Sequence, residues 1–118
     1  MMRRVKQADI LNRERRRIVR PDGTLADGYL SPELFGFLDV VSRDIGVVVE
    51  RHTVAASLWP KADDEIATGA ALNKRAQRVR AALMEAGWTR ETLATVEWTG
   101  WEIDPDEVAR VMAEARGE

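Results

Sequence analysis

Between Thr68 and Gly87 the sequence TGAALNKRAQRVRAALMEAG offers a core one side of one helix and little else. At about 100° per residue, Leu72, Ala76, Val79 and Leu83 fall within about 60° of one another, a narrow apolar stripe at helical period. Opposite the stripe lie Ala70, Lys74, Gln77, Arg78 and Ala81, with Asn73 and Arg80 on one flank and Arg75 on the other. Small residues permit close approach, amides and arginines pair with base edges, and flanking cations reach phosphates, so such a face suits the major groove of DNA. An amphipathic helix with a merely solvated basic face fits the same pattern. This segment alone leaves both readings open.

The rest of the chain must supply the layers that cover the stripe. At 118 residues there is material for one modest core. The composition, 45% hydrophobic and 32% charged, is that of a globular rather than a disordered chain. Absence of cysteine excludes disulfides, thiolate catalysis and cysteine-ligated zinc. No apolar run approaches the roughly 20 residues of a membrane span, and the basic start lacks an apolar signal core. A cytoplasmic protein without membrane contact is expected.

A net charge of −2 argues against a generic polyanion binder, yet the charge is unevenly spread. Residues 1–20 carry eight Lys/Arg against two Asp/Glu, and residues 69–90 five against one; residues 91–118 carry two against eight. Positive charge thus concentrates in the N-terminal segment and in the Thr68–Gly87 helix, and basic residues sharing one face bind DNA whatever the total.

Along the chain, Arg15–Arg20 is compatible with a short edge strand, Pro21-Asp22-Gly23 with a turn, and Thr24-Leu25-Ala26 with the returning strand. Ser31-Pro32-Glu33 is a helix start: a capping hydroxyl, a first-turn proline and an acid at the positive end of the dipole. Leu34, Phe37, Leu38 and Val41 give that helix its apolar face, which ends near Asp44, with Gly46 available for a left-handed terminus. Val47–Val49 reads as extended, and a second helix is expected from about Arg51 to Trp59, stopped by Pro60. Two β-prone runs around Thr99-Gly100 signal a hairpin. Asp104-Pro105-Asp106-Glu107 starts a last helix, with Glu107 placed to complete a capping box.

Helix, short strand, helix, acidic connection, helix, hairpin is the order of an α+β winged helix-turn-helix. Its third helix would enter the major groove and its hairpin wing would lie beside it. The expected layout is a basic arm over residues 1–14, the winged domain over 15–104 with a short N-terminal hairpin, and an added helix over 105–118 packed on the domain or extending it.

The segment resembles the DNA-binding effector domain of OmpR/PhoB-type response regulators. The residues that carry the resemblance are Leu30-Ser31-Pro32-Glu33-Leu34-Phe35, Gly46-Val47-Val48 through Leu58-Trp59-Pro60, Arg78 and Arg80 around Val79, and Thr95-Val96 with Thr99-Gly100-Trp101. Together they span roughly residues 15–103. The resemblance implies a transcription regulator binding double-stranded DNA through a recognition helix at about 68–86, with buried Trp59 and Trp101. It also implies that the loop before that helix, with Asp63, Asp64 and Glu65, is a surface for RNA polymerase; an acidic helix start is the plainer reading of those residues. Departures lie in the wing, where Glu97 and Trp98 stand at the family's arginine and glycine and Glu102 at another basic position. No receiver domain precedes the segment in this sequence, so a stand-alone domain is expected.

On this reading Asn73, Lys74, Gln77 and Arg78 are the base-edge candidates, since amides suit adenine and arginine suits guanine. Arg75, Arg80 and Arg90, with Arg15, Arg16 and Arg17 of the N-terminal segment, are phosphate candidates. Trp98 is either an exposed anchor for a protein partner or folds onto the last helix. The last helix's stripe of Val108, Val111, Met112 and Ala115 serves a homodimer or covers the domain. A lone histidine, His52, supports neither a metal site nor a catalytic dyad, and no nucleophile or phosphate loop accompanies the carboxylates. No enzyme activity, cofactor or metal is expected. The alternative function is a winged-helix protein-interaction module with little DNA affinity, supported by the acidic wing and Trp98.

Overall fold

Ser31 begins the first helix as its chemistry demands. In a computed structural model of the protein, which describes residues 9–61, 63 and 69–117, helix α1 runs Pro32–Ser42 and the Ser31 hydroxyl accepts from the Leu34 N–H. Helix α2 spans Arg51–Leu58, α3 spans Ala70–Glu85 and α4 spans Pro105–Ala115. Asp104 caps α4 by accepting from the Asp106 and Glu107 N–H groups. Glu107 does not turn back to close the expected capping box. Its carboxylate takes the Thr89 hydroxyl and the Arg110 guanidinium instead.

Among the described residues the chain is an α+β arrangement of four α-helices and two small antiparallel sheets. One sheet has the order β3 (Val49–Glu50), β5 (Gly100–Ile103), β4 (Leu93–Val96). Val49 faces Trp101 across one pair, and Thr95 faces Trp101 across the other. Gly100 is required at that crossing, because a Cβ there would lie 1.9 Å from the Val49 carbonyl oxygen.

The other sheet pairs β1 (Leu11–Asn12) with β2 (Arg17–Ile18). The hairpin therefore forms one strand earlier than expected, and only an isolated bridge, Val19 with Leu25, joins the returning segment. The cause is burial. Ile10 and Leu11 are both 0% exposed, so two apolar residues among many cations draw this stretch into the core.

That core joins Phe37, Leu38 and Val41 of α1, Val54 and Ala55 of α2, and the complete α3 stripe of Leu72, Ala76, Val79 and Leu83. Phe37 meets Trp101 edge-on, with centroids 5.0 Å apart. Trp88, just past α3, is buried and donates its indole N–H to the Val19 carbonyl at 2.8 Å. Val108 and Val111 of α4 are buried in the same cluster and Met112 packs against it, so the last helix covers the domain with most of its stripe. No helix of the described residues is long and apolar enough to cross a membrane.

Candidate nucleic-acid interface

Helix α3 is held on both flanks, and what remains between them is the candidate surface. On the flank toward α1, Arg75 grips Glu33 with two hydrogen bonds, Nε to Oε2 at 2.7 Å and Nη2 to Oε1 at 3.1 Å. The Arg75 hydrogen bond holds the Glu33 carboxyl below its usual range, and Glu33 in turn raises Arg75. The same guanidinium stands 6.0 Å above Trp59, which is half-buried rather than buried. Arg75 was expected on a phosphate. In this structure its guanidinium is paired with a carboxylate 42 residues away in sequence.

On the other flank Arg80 reaches the β4–β5 hairpin. Its Nε and Nη2 donate to the Leu93 carbonyl at 3.2 and 2.9 Å, and Nη2 also reaches the Thr95 hydroxyl at 3.0 Å. Burial, reinforced by the like charge of Arg90, pulls this guanidinium below its ordinary pKa. Leu93 lies on the edge strand of the sheet, so Arg80 occupies an edge carbonyl while fastening helix to hairpin. It too was expected on a phosphate and is engaged within the protein.

Two turns earlier on this flank, Asn73 accepts from Arg51 at 2.8 Å through its Oδ1. Arg51, the first residue of α2, lies 4.9 Å above the ring of Trp101. Sequence reasoning gave Arg51 no role, although there was a signal. A cation at the first position of a helix opposes the dipole, and the first turn of α2 has no acid. Arg51, Asn73, Gln77, Arg80, Trp98 and Trp101 line a groove of about 360 Å³ between α3 and the hairpin tip.

Between the flanks lie Lys74, Gln77 and Arg78, all exposed and none in a side-chain hydrogen bond among the described residues. Ala70 and Ala81 are exposed on the same side, as the helical pattern requires. The ridge thus presents an ammonium, an amide and a guanidinium with only methyl groups beside them. Such a row can enter a groove and pair with acceptor and donor edges.

The remaining candidates lie elsewhere. Arg90 is exposed just before β4 and, with Arg80 and Thr95, lines a second hollow of about 420 Å³. Arg15 is exposed in the β1–β2 turn, Arg16 sits 5.5 Å over Phe35, and Arg17 sits 4.6 Å over Tyr29. Arg13 binds Asp39 at 2.7 Å and Ser42 at 3.0 Å. On α1, Phe35 and Asp39 fall on the flank opposite Glu33, at about 200° and 240° from it. The hairpin arginines and Arg75 therefore sit on opposite flanks of α1. Asp63 is exposed, while Asp64 and Glu65 lie outside the described residues.

Trp98 is 92% exposed with φ 64°, at the tip of the β4–β5 hairpin. It does not fold onto α4. A bulky side chain in the left-handed region is strained, and this one gains no burial in return. Among the described residues no group of three or more His, Cys, Asp or Glu could hold a metal ion. The chain matches no family model, and no curated protein matches it in sequence.

Proposed function

We propose that this chain is a winged helix-turn-helix of the OmpR/PhoB kind that binds double-stranded DNA as a transcription regulator, with α3 in the major groove. The supporting observation is the division of labour on α3. Its flank arginines are consumed by Glu33 and by the hairpin, and the ridge of Lys74, Gln77 and Arg78 is left bare. Within this reading α1, α2 and α3 are the three-helix core, and β4–β5 is the wing. Glu97 at the wing tip repels phosphate, so α3 carries most of the affinity. A regulator of this kind acts in the cytoplasm.

Titration with random duplex at low and moderate salt tests the reading. Binding should weaken with a log–log slope of about −0.9 per phosphate contacted. Absence of binding at low salt would remove DNA from the account. On a selected site, Arg78→Ala should lose about 1–3 kcal/mol of discrimination, and equal losses on selected and random duplex would reduce Arg78 to an electrostatic contact.

Trp98 favours a second reading. An exposed, strained tryptophan beside Glu97 suits an anchor for a protein partner such as RNA polymerase, in a module with little DNA affinity. Unchanged partner capture by Trp98→Ala would dismiss it.

A further inference from the structure

We infer that Arg51 sets the base preference of Asn73, turning an amide that would read adenine into one that reads guanine. The inference rests on the reading of α3 as the helix in the major groove, and concerns which base its hairpin-side flank accepts.

An arginine side chain only donates hydrogen bonds, so the group facing Arg51 across 2.8 Å must be the Asn73 oxygen. The amide nitrogen is thereby turned away from Arg51, and among the described residues it has no acceptor. Asparagine reads adenine by accepting from N6 and donating to N7 at once. Here one of the two lone pairs of the amide oxygen already serves a guanidinium, and a cation beside that oxygen disfavours the approach of a second donor such as the adenine amino group. Two donors facing each other repel. What Asn73 offers unhindered is its N–H₂, and the major-groove edge that presents two acceptors to it is that of guanine, O6 and N7.

The arrangement is fixed from below. Arg51 lies 4.9 Å over Trp101, which is 2% exposed and packs edge-on against Phe37 in the core. Gln77, one turn further along α3, lines the same groove and carries an amide that no protein donor occupies among the described residues. The two amides of the helix are therefore unequal: Gln77 keeps its donor and its whole acceptor free, whereas Asn73 keeps its donor and shares its acceptor with a guanidinium. Arg51 is a positioning residue that acts through Asn73.

The test is selection of preferred sites from a randomised duplex pool at low salt by the wild type, Asn73→Ala, Arg51→Met and Arg51→Lys. The wild type should select guanine at one position whose preference vanishes in Asn73→Ala. Arg51→Met keeps an apolar stem over Trp101 but frees the amide oxygen, and should shift that position toward adenine by about 5-fold or more. Arg51→Lys still donates to the oxygen and should retain guanine, which separates positioning from any loss of stability. Selection of adenine by the wild type, or the same preference in Arg51→Met as in the wild type, would overturn the inference while leaving DNA binding intact. Failure of the wild type to bind any duplex would overturn both.

Discussion

Arginine is concentrated twice in this chain, in α3 and in the hairpin of β1 and β2, and the two places use it differently. Helix α3 divides its cations by angle: Arg75 and Arg80 point sideways into partners, while Lys74 and Arg78 point outward. In the hairpin, Arg16 and Arg17 lie over the rings of Phe35 and Tyr29, and Arg13 is tied to Asp39. Asp39 is shared with Arg43; burial opposes its ionisation, but the hydrogen bonds from Arg43 and Arg13 outweigh that and lower its pKa. Formal charge is therefore a poor guide to available charge. The hairpin is a staple carrying cations, whereas α3 is a scaffold exposing a few.

The largest expected effect comes from the apolar root of the staple. Ile10→Ala should lower stability by about 2–5 kcal/mol in urea unfolding, the range for a large aliphatic lost from a core. A negligible change would make the hairpin a detachable arm. Next, Arg80→Ala should cost about 1–2 kcal/mol, the lower part of the range for charged hydrogen bonds because the group is partly wet. The salt slope of the proposed DNA binding should stay unchanged in this variant. A shallower slope would return Arg80 to the phosphate contacts.

Arg16→Ala should cost only about 0.5–1 kcal/mol, as for an exposed cation–π contact, again without changing the salt slope. The smallest effect concerns acid. Arg110, followed by Thr89, holds Glu107 at about 2, below its ordinary 4.5. A depressed carboxyl stabilises above the unfolded value and loses that contribution as pH falls through the folded one. Stability should thus decline between pH 4.5 and about 2, and Glu107→Gln should flatten that part of the profile. An unaltered profile would assign the acid loss to Glu33 and Asp39 instead.

Much of the fold was legible because its signals are local. Ser31 and Asp104 cap the helices they precede, Gly87 closes α3 with φ 98°, and the four stripe residues of α3 are all buried. The N-terminal hairpin was misplaced because cations dominate its composition, while Ile10 and Leu11 decide its position. Glu107 was read as a partner of its own helix end, since Thr89 becomes a neighbour only after folding.

The candidate site divides along the same line. Helical period depends only on residue order, so residue order alone assigns the α3 residues to the core face or to the face away from it. Nothing in residue order says that Glu33 will stand beside Arg75, that Leu93 will offer its carbonyl to Arg80, or that Arg51 will cross to Asn73. Those pairings follow from the packing of α1, α2 and the β4–β5 hairpin around α3. Tertiary structure alone decided which of the helix's cations are already spent, because Coulomb and hydrogen-bond forces act over a few ångströms of space rather than along the chain. It was also packing that left Trp98 in water and Trp101, three residues on, in the core at 2% exposure.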